Sequence, residues 1–216
     1  MPLAENSKGL FRTPLACALL SGALAAAIRE FGRLVLTSTP SSGHSIHLVL
    51  VVVTVLSSTM QLHGPVFYRR DGKIIWKCVG CAFLLTTGLY AATALMPSRP
   101  TSGFSRGLLF QILITIGVQG AMLGIFLALL YGRKKLAGIC SVLGLLSSLP
   151  LFGLYALSYA RYSAAGSNVS SLSTDDTAAL FLMLKYLVAI GQVVLPTIPI
   201  DRAIQAARVR SMNSEK

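Results

Sequence analysis

Four polar side chains stand where hydrocarbon is expected to surround them: Lys185, Gln192, Gln111 and Gln119. Lys185 lies inside the apolar run 177–200, and Gln192 follows seven residues on, within about 20° of the same helical face. Gln111 and Gln119 interrupt the run 107–132. A charge within the bilayer core costs about 2.5–3.5 kcal/mol on insertion scales, so such a residue usually faces the bundle interior or a water-filled cavity. Binding of a polar solute or ion is the chemistry these residue types suit. A lysine that snorkels to the headgroups and glutamines that bond neighbouring helices would account for them at least as well. The expectation is that the four line a polar interior cavity or a subunit contact. Asp175 and Asp176 lie two to three turns above Lys185, and no intramembrane acid is expected to pair with it.

Other candidates carry weaker chemistry. Cys78-Val79-Gly80-Cys81 puts two thiols one helical turn apart, beside Lys77, as a redox pair would require. The pattern resembles the membrane CxxC of vitamin K epoxide reductases over four residues. That family also uses a second cysteine pair in a loop, whereas Cys17 and Cys140 fall within apolar runs here, so small residues for helix packing are the better account. Pro40-Ser41-Ser42-Gly43-His44 resembles the PSGH element of membrane lipid phosphatases with one residue inserted. Those enzymes need a distal histidine as general base, and no histidine follows His63. His47 and His63 stand about 24 Å apart along one helix, with no further intramembrane histidine to complete a haem site. Asn168-Val169-Ser170 is a glycosylation sequon.

The elements that hold these residues are set by lipid as solvent. Of the 216 residues 54% are hydrophobic and only 12% charged, about half the charge of an ordinary soluble domain. The apolar residues come in continuous runs. The longest uncharged ones, 107–132 and 136–160, flank the cluster Gly132-Arg133-Lys134-Lys135 and each exceeds the roughly 20 residues that cross the hydrocarbon. Six spans are expected in one all-α polytopic membrane domain, at about 13–36, 46–68, 74–96, 107–132, 136–160 and 177–200, with five possible because the first stretch carries Arg29, Glu30 and Arg33. In that stretch Arg29 and Arg33 are expected to snorkel outward, and Glu30 to pair with Arg33 at i, i+3. Pro196 and Pro199 are expected to kink or end the last span, leaving a basic tail, 201–216. Gly117, Gly120 and Gly124 in the fourth span, with Gly138 and Gly144 in the fifth, are expected to let those two helices approach closely.

The net charge of +12 admits nucleic acid, but the basic residues cluster at the ends of apolar runs. Thirteen of them fall on the side that holds both termini and five on the other, a bias that puts the termini in the cytosol. No nucleic acid, metal or cofactor is expected. The expected partners are the lipid bilayer and a membrane-protein partner or a second copy. With no catalytic constellation, the favoured function is a structural or accessory subunit of a membrane complex. A small-solute or ion transporter with a polar cavity around Lys185 is the alternative, and a membrane-embedded lipid or redox enzyme the third. The endoplasmic reticulum or plasma membrane is the expected location.

Overall fold

The computed structural model describes residues 14–38, 43–67, 72–94, 106–165 and 174–214. Those residues form α1 (Pro14–Ser38), α2 (Gly43–Val66), α3 (Ile74–Ala94), α4 (Arg106–Leu130), α5 (Ala137–Leu146), α6 (Leu149–Ala165) and α7 (Thr174–Ser214). In lipid every backbone N–H and C=O must find its partner within the protein, which a helix achieves alone. Five stretches are long and apolar enough to cross a membrane: Pro14–Leu36, Leu48–Val66, Ile74–Ala91, Lys134–Leu157 and Ala179–Met212. In α4 the described apolar stretch is Thr115–Leu130. The chain is an all-α integral membrane bundle of five to six spans.

The helices close a ring. α1 packs on α2 and α7, α3 joins α2 to α4, and α5 packs on α4 and α7; α2, α4 and α7 also meet across the middle. Leu62, Leu85, Leu123, Leu127, Val193 and Ile200 are fully buried there, among small residues such as Ala18, Ala82, Ala128, Cys78 and Cys140. Large apolar side chains including Phe31, Trp76, Phe83 and Leu187 face outward, as befits a protein whose solvent is hydrocarbon.

The turn after α4 shows why the chain reverses there. Gly132 has φ of +70°, a left-handed conformation open to glycine at little cost. Arg133 N donates to Ala128 O at 2.8 Å and Gly132 N to Leu129 O at 2.9 Å. Together these make a Schellman C-cap that satisfies the last carbonyls of α4. A single 3₁₀ turn, Lys134–Leu136, leads into α5.

Three span expectations change. The run 136–160 is not one helix: it breaks at Ser147–Ser148 into α5 and α6. Pro150 has no N–H and crowds the carbonyl four residues back, so the ladder fails just before it. The serine hydroxyls bond the helix carbonyls at the break, Ser147 Oγ to Gly144 O at 2.6 Å and Ser148 Oγ across to Ile116 O at 3.2 Å. Conversely, Pro196 and Pro199 do not end the last span. α7 runs through both for 41 residues, about 60 Å at 1.5 Å per residue. That is twice the hydrocarbon thickness, so the basic tail is helical to Ser214. Thr197 Oγ1 donates to Val193 O at 2.7 Å beside the proline pair, and Cys140 Sγ donates to Pro196 O at 3.4 Å.

The third change concerns glycine. α4 and α5 do touch backbone to backbone, and a Cβ on Gly120 would overlap the Gly144 carbonyl while one on Gly124 would overlap that of Cys140. Gly117 stands against Leu145 of α5. Gly138, however, has nothing within 4 Å of where its Cβ would stand and is exposed, so it takes no part. Residues 137–146 turn through nearly three helical turns, which carries Gly138 off the face that Gly144 presents.

Candidate functional site

The polar residues of the spans converge on one chamber. Its volume is about 260 Å³, and α1, α4, α6 and α7 line it. Arg29, Glu30 and Arg33 come from α1, Gln119 from α4, Tyr155 from α6, and Lys185, Tyr186 and Gln192 from α7. Ala26, Ile116, Leu151, Val188 and Ala189 complete the wall. Exposure falls from one end to the other. The side chain of Arg33 is 57% exposed and that of Lys185 40%, whereas Gln119 is 8% and Gln192 1% exposed. The charged end is the mouth and the amides are the floor.

At the mouth Glu30 holds two cations. Its Oε2 accepts from Arg33 Nε at 2.7 Å, the i, i+3 pair the spacing predicts. Its Oε1 accepts from Lys185 Nζ at 3.2 Å. Lys185 therefore has an acid within the spans, against the sequence expectation. That partner is 155 positions away and is brought close because α7 packs antiparallel along α1.

Arg29 lies deeper. Nε donates to Ser57 Oγ at 3.1 Å and Nη2 to Gln61 Oε1 at 2.7 Å. The Gln119 amide is assigned with its oxygen toward Arg29, where it accepts from Nη1 at 3.1 Å and from Nη2 as well; nitrogen and oxygen are told apart by this bonding pattern. Every one of these partners is neutral, and among the described residues no carboxylate reaches the guanidinium. The expectation that Arg29 snorkels outward is wrong for a geometric reason. Helical side chains lean toward the N-terminus of their own helix. In α1 that direction runs toward the bundle centre, since Gly64, three residues past Gln61 in antiparallel α2, meets Ser21.

The floor is tied to the backbone. Behind the lining, fully buried Gln61 donates from Nε2 to the carbonyl of Ala189, a wall residue, at 3.0 Å. Gln192 Nε2 donates to Ile116 O at 3.1 Å, the carbonyl that Ser148 also reaches. Gln192 Oε1 has no partner among the described residues, an arrangement that costs about 1–3 kcal/mol. Of the four residues singled out in the sequence, the chamber brings together Lys185, Gln192 and Gln119; the side chain of Gln111 lies outside the described residues. Reading the sequence missed Arg29 and Glu30 as members. The signal was available, because two charges inside an apolar run call for interior partners.

The remaining candidates stand apart. Cys78 is fully buried in the core and Cys81 packs partly buried against it; both are free thiols. His63 stacks edge-on with Phe67 at 5.6 Å. Asn168 and most of the PSGH-like element lie outside the described residues. Among the described residues no three metal-ligating side chains come together. No protein-family model matches the chain, and no curated protein or solved structure matches it.

Proposed function

We propose that this bundle takes a small polar solute into the chamber and passes it across the membrane, as a transporter or channel. Arg29 carries the reading. A partly buried cation whose partners among the described residues are amides and a hydroxyl is a costly way to stabilise a bundle, since a well-packed apolar residue there would avoid the desolvation penalty. Intramembrane ionisable residues mark solute and ion pathways. The volume suits a solute below drug size. The helix break at Ser147–Ser148 adjoins the chamber, and broken helices often line substrate sites in carriers.

From the bias of basic residues we further propose that both termini are cytosolic, with the mouth on the opposite side, in the endoplasmic reticulum or plasma membrane. A tag-accessibility assay that found the termini on opposite faces would overturn this. The transport reading is tested with purified protein in liposomes and radiolabelled carboxylates, phosphate, amines and sugars. Saturable uptake that Lys185→Leu abolishes is expected. No saturable uptake of any of these by folded, reconstituted protein would sink it.

The accessory-subunit reading keeps one observation in its favour. The outward face of α3 presents Trp76, Phe83 and Leu84 around Gly80, which has nothing within 4 Å of its Cβ position. A glycine in a helix with no neighbour to accommodate suits a partner helix. Mild-detergent purification from native membranes would recover that partner at equal stoichiometry.

A further inference from the structure

We infer that the ligand of the chamber is a small oxyanion, a carboxylate or phosphate group, which takes the place of the Glu30 carboxylate between Arg33 and Lys185. This deepens the solute reading above and rests on it. Three cations line the chamber, Arg29, Arg33 and Lys185, against one acid, Glu30. The described lining thus carries an excess of two positive charges. Glu30 already spans the two mouth cations, at 2.7 and 3.2 Å, in the geometry a bound carboxylate would adopt. Arg29 sits deeper with neutral partners only, so its charge is left without a counter-ion among the described residues. Buried charges are ordinarily paired, and arginine matches the planar oxyanion fork. Glu30 is therefore the internal occupant of the mouth, and an entering oxyanion competes with it for Lys185 and Arg33.

The same chemistry is offered by a soluble anion and by an anionic lipid headgroup, and the test separates them. Thermal unfolding of the full chain in phosphatidylcholine nanodiscs is followed with added acetate, lactate or inorganic phosphate, and with ethanolamine or glycerol as cationic and neutral probes. A second series incorporates phosphatidic acid in the nanodisc. A midpoint raised by the soluble oxyanions but by neither ethanolamine nor glycerol is expected. Lys185→Gln should weaken the oxyanion at least about tenfold, Lys185→Arg should restore most of it, and Glu30→Gln should tighten it by about tenfold at low salt, because one competing charge at contact distance is removed. Stabilisation by phosphatidic acid alone, with the same dependence on Lys185 and Glu30, supports the oxyanion and assigns it to lipid. Stabilisation by ethanolamine or glycerol instead would leave the solute reading standing and overturn the oxyanion. A Glu30→Gln variant that folds and binds oxyanions more weakly would also overturn it. No response to any probe would remove both.

Discussion

Alanine at two glycines, Gly120 and Gly138, should have opposite effects although the chemical change is identical. A methyl group on Gly120 meets the carbonyl of Gly144, and on Gly144 it would meet that of Gly120. Both obstacles are backbone, so no rotamer change relieves them and α4 must move away from α5. Overpacking of this kind costs about 1–3 kcal/mol. Against it, replacing a mid-helix glycine by alanine gains about 0.5–1 kcal/mol. At Gly138 only the gain applies, because its Cβ position is open. Gly138 stands in the first turn of α5, where the gain is no larger than at Gly120, so Gly120→Ala should be less stable than Gly138→Ala by up to about 3 kcal/mol, or roughly 150-fold in the unfolding equilibrium. Reversible unfolding in mixed detergent–SDS micelles, followed by loss of helicity, measures both. Equal stability of the two variants would refute the backbone contact between α4 and α5.

Two glutamines offer a further contrast. Gln61→Met should destabilise by about 2–3 kcal/mol in the same assay, since it strips a hydrogen bond from the Arg29 cation and another from Ala189 O, and bonds to charged groups are worth about 1.5–3 kcal/mol. Gln192→Met should stay within about 1 kcal/mol of wild type, because loss of the bond to Ile116 O is offset by removing Oε1, unpartnered among the described residues; a loss as large as that of Gln61→Met would show that Oε1 has a partner. Ser148→Ala should cost about 0.5–1.5 kcal/mol, the worth of its bond to Ile116 O, and a neutral result would mean the hydroxyl is not needed at the helix break.

The spans were legible because lipid imposes a simple length rule, and the apolar runs 46–68 and 74–96 lie close to α2 and α3. The break inside 136–160 was harder. Leu-Leu-Ser-Ser-Leu-Pro-Leu-Phe reads as one apolar run, and only Pro150 marks the interruption, whereas Pro196 and Pro199 mark none. Whether a proline interrupts a membrane helix depends on how neighbouring helices and hydroxyls satisfy the backbone groups it frees. That information lies in packing and is absent from the local sequence. The chamber was half legible. Lys185 and Gln192 share a face by periodicity, and Gln119 stood out as an amide in an apolar run. The sequence sends Arg29 outward and pairs Glu30 with Arg33 alone, so neither is placed in the interior. Adjacent residues point about 100° apart on a helix, so one enters the α1–α2 seam and the other turns to α7.

The most direct test of a water-filled chamber compares two neighbours on α7. Tyr186 lines the chamber, while Leu187 faces outward and is 57% exposed. Tyr186→Cys and Leu187→Cys are made in a background with Cys17, Cys78, Cys81 and Cys140 replaced by alanine and shown to be folded. Each is reconstituted and treated with a membrane-impermeant anionic methanethiosulfonate. Rapid modification of Tyr186→Cys, slowed by soluble oxyanions, with Leu187→Cys unreactive in lipid, is the expected result. Reaction at Leu187→Cys and none at Tyr186→Cys would contradict a polar chamber open to water and leave the charges as internal scaffolding of the bundle.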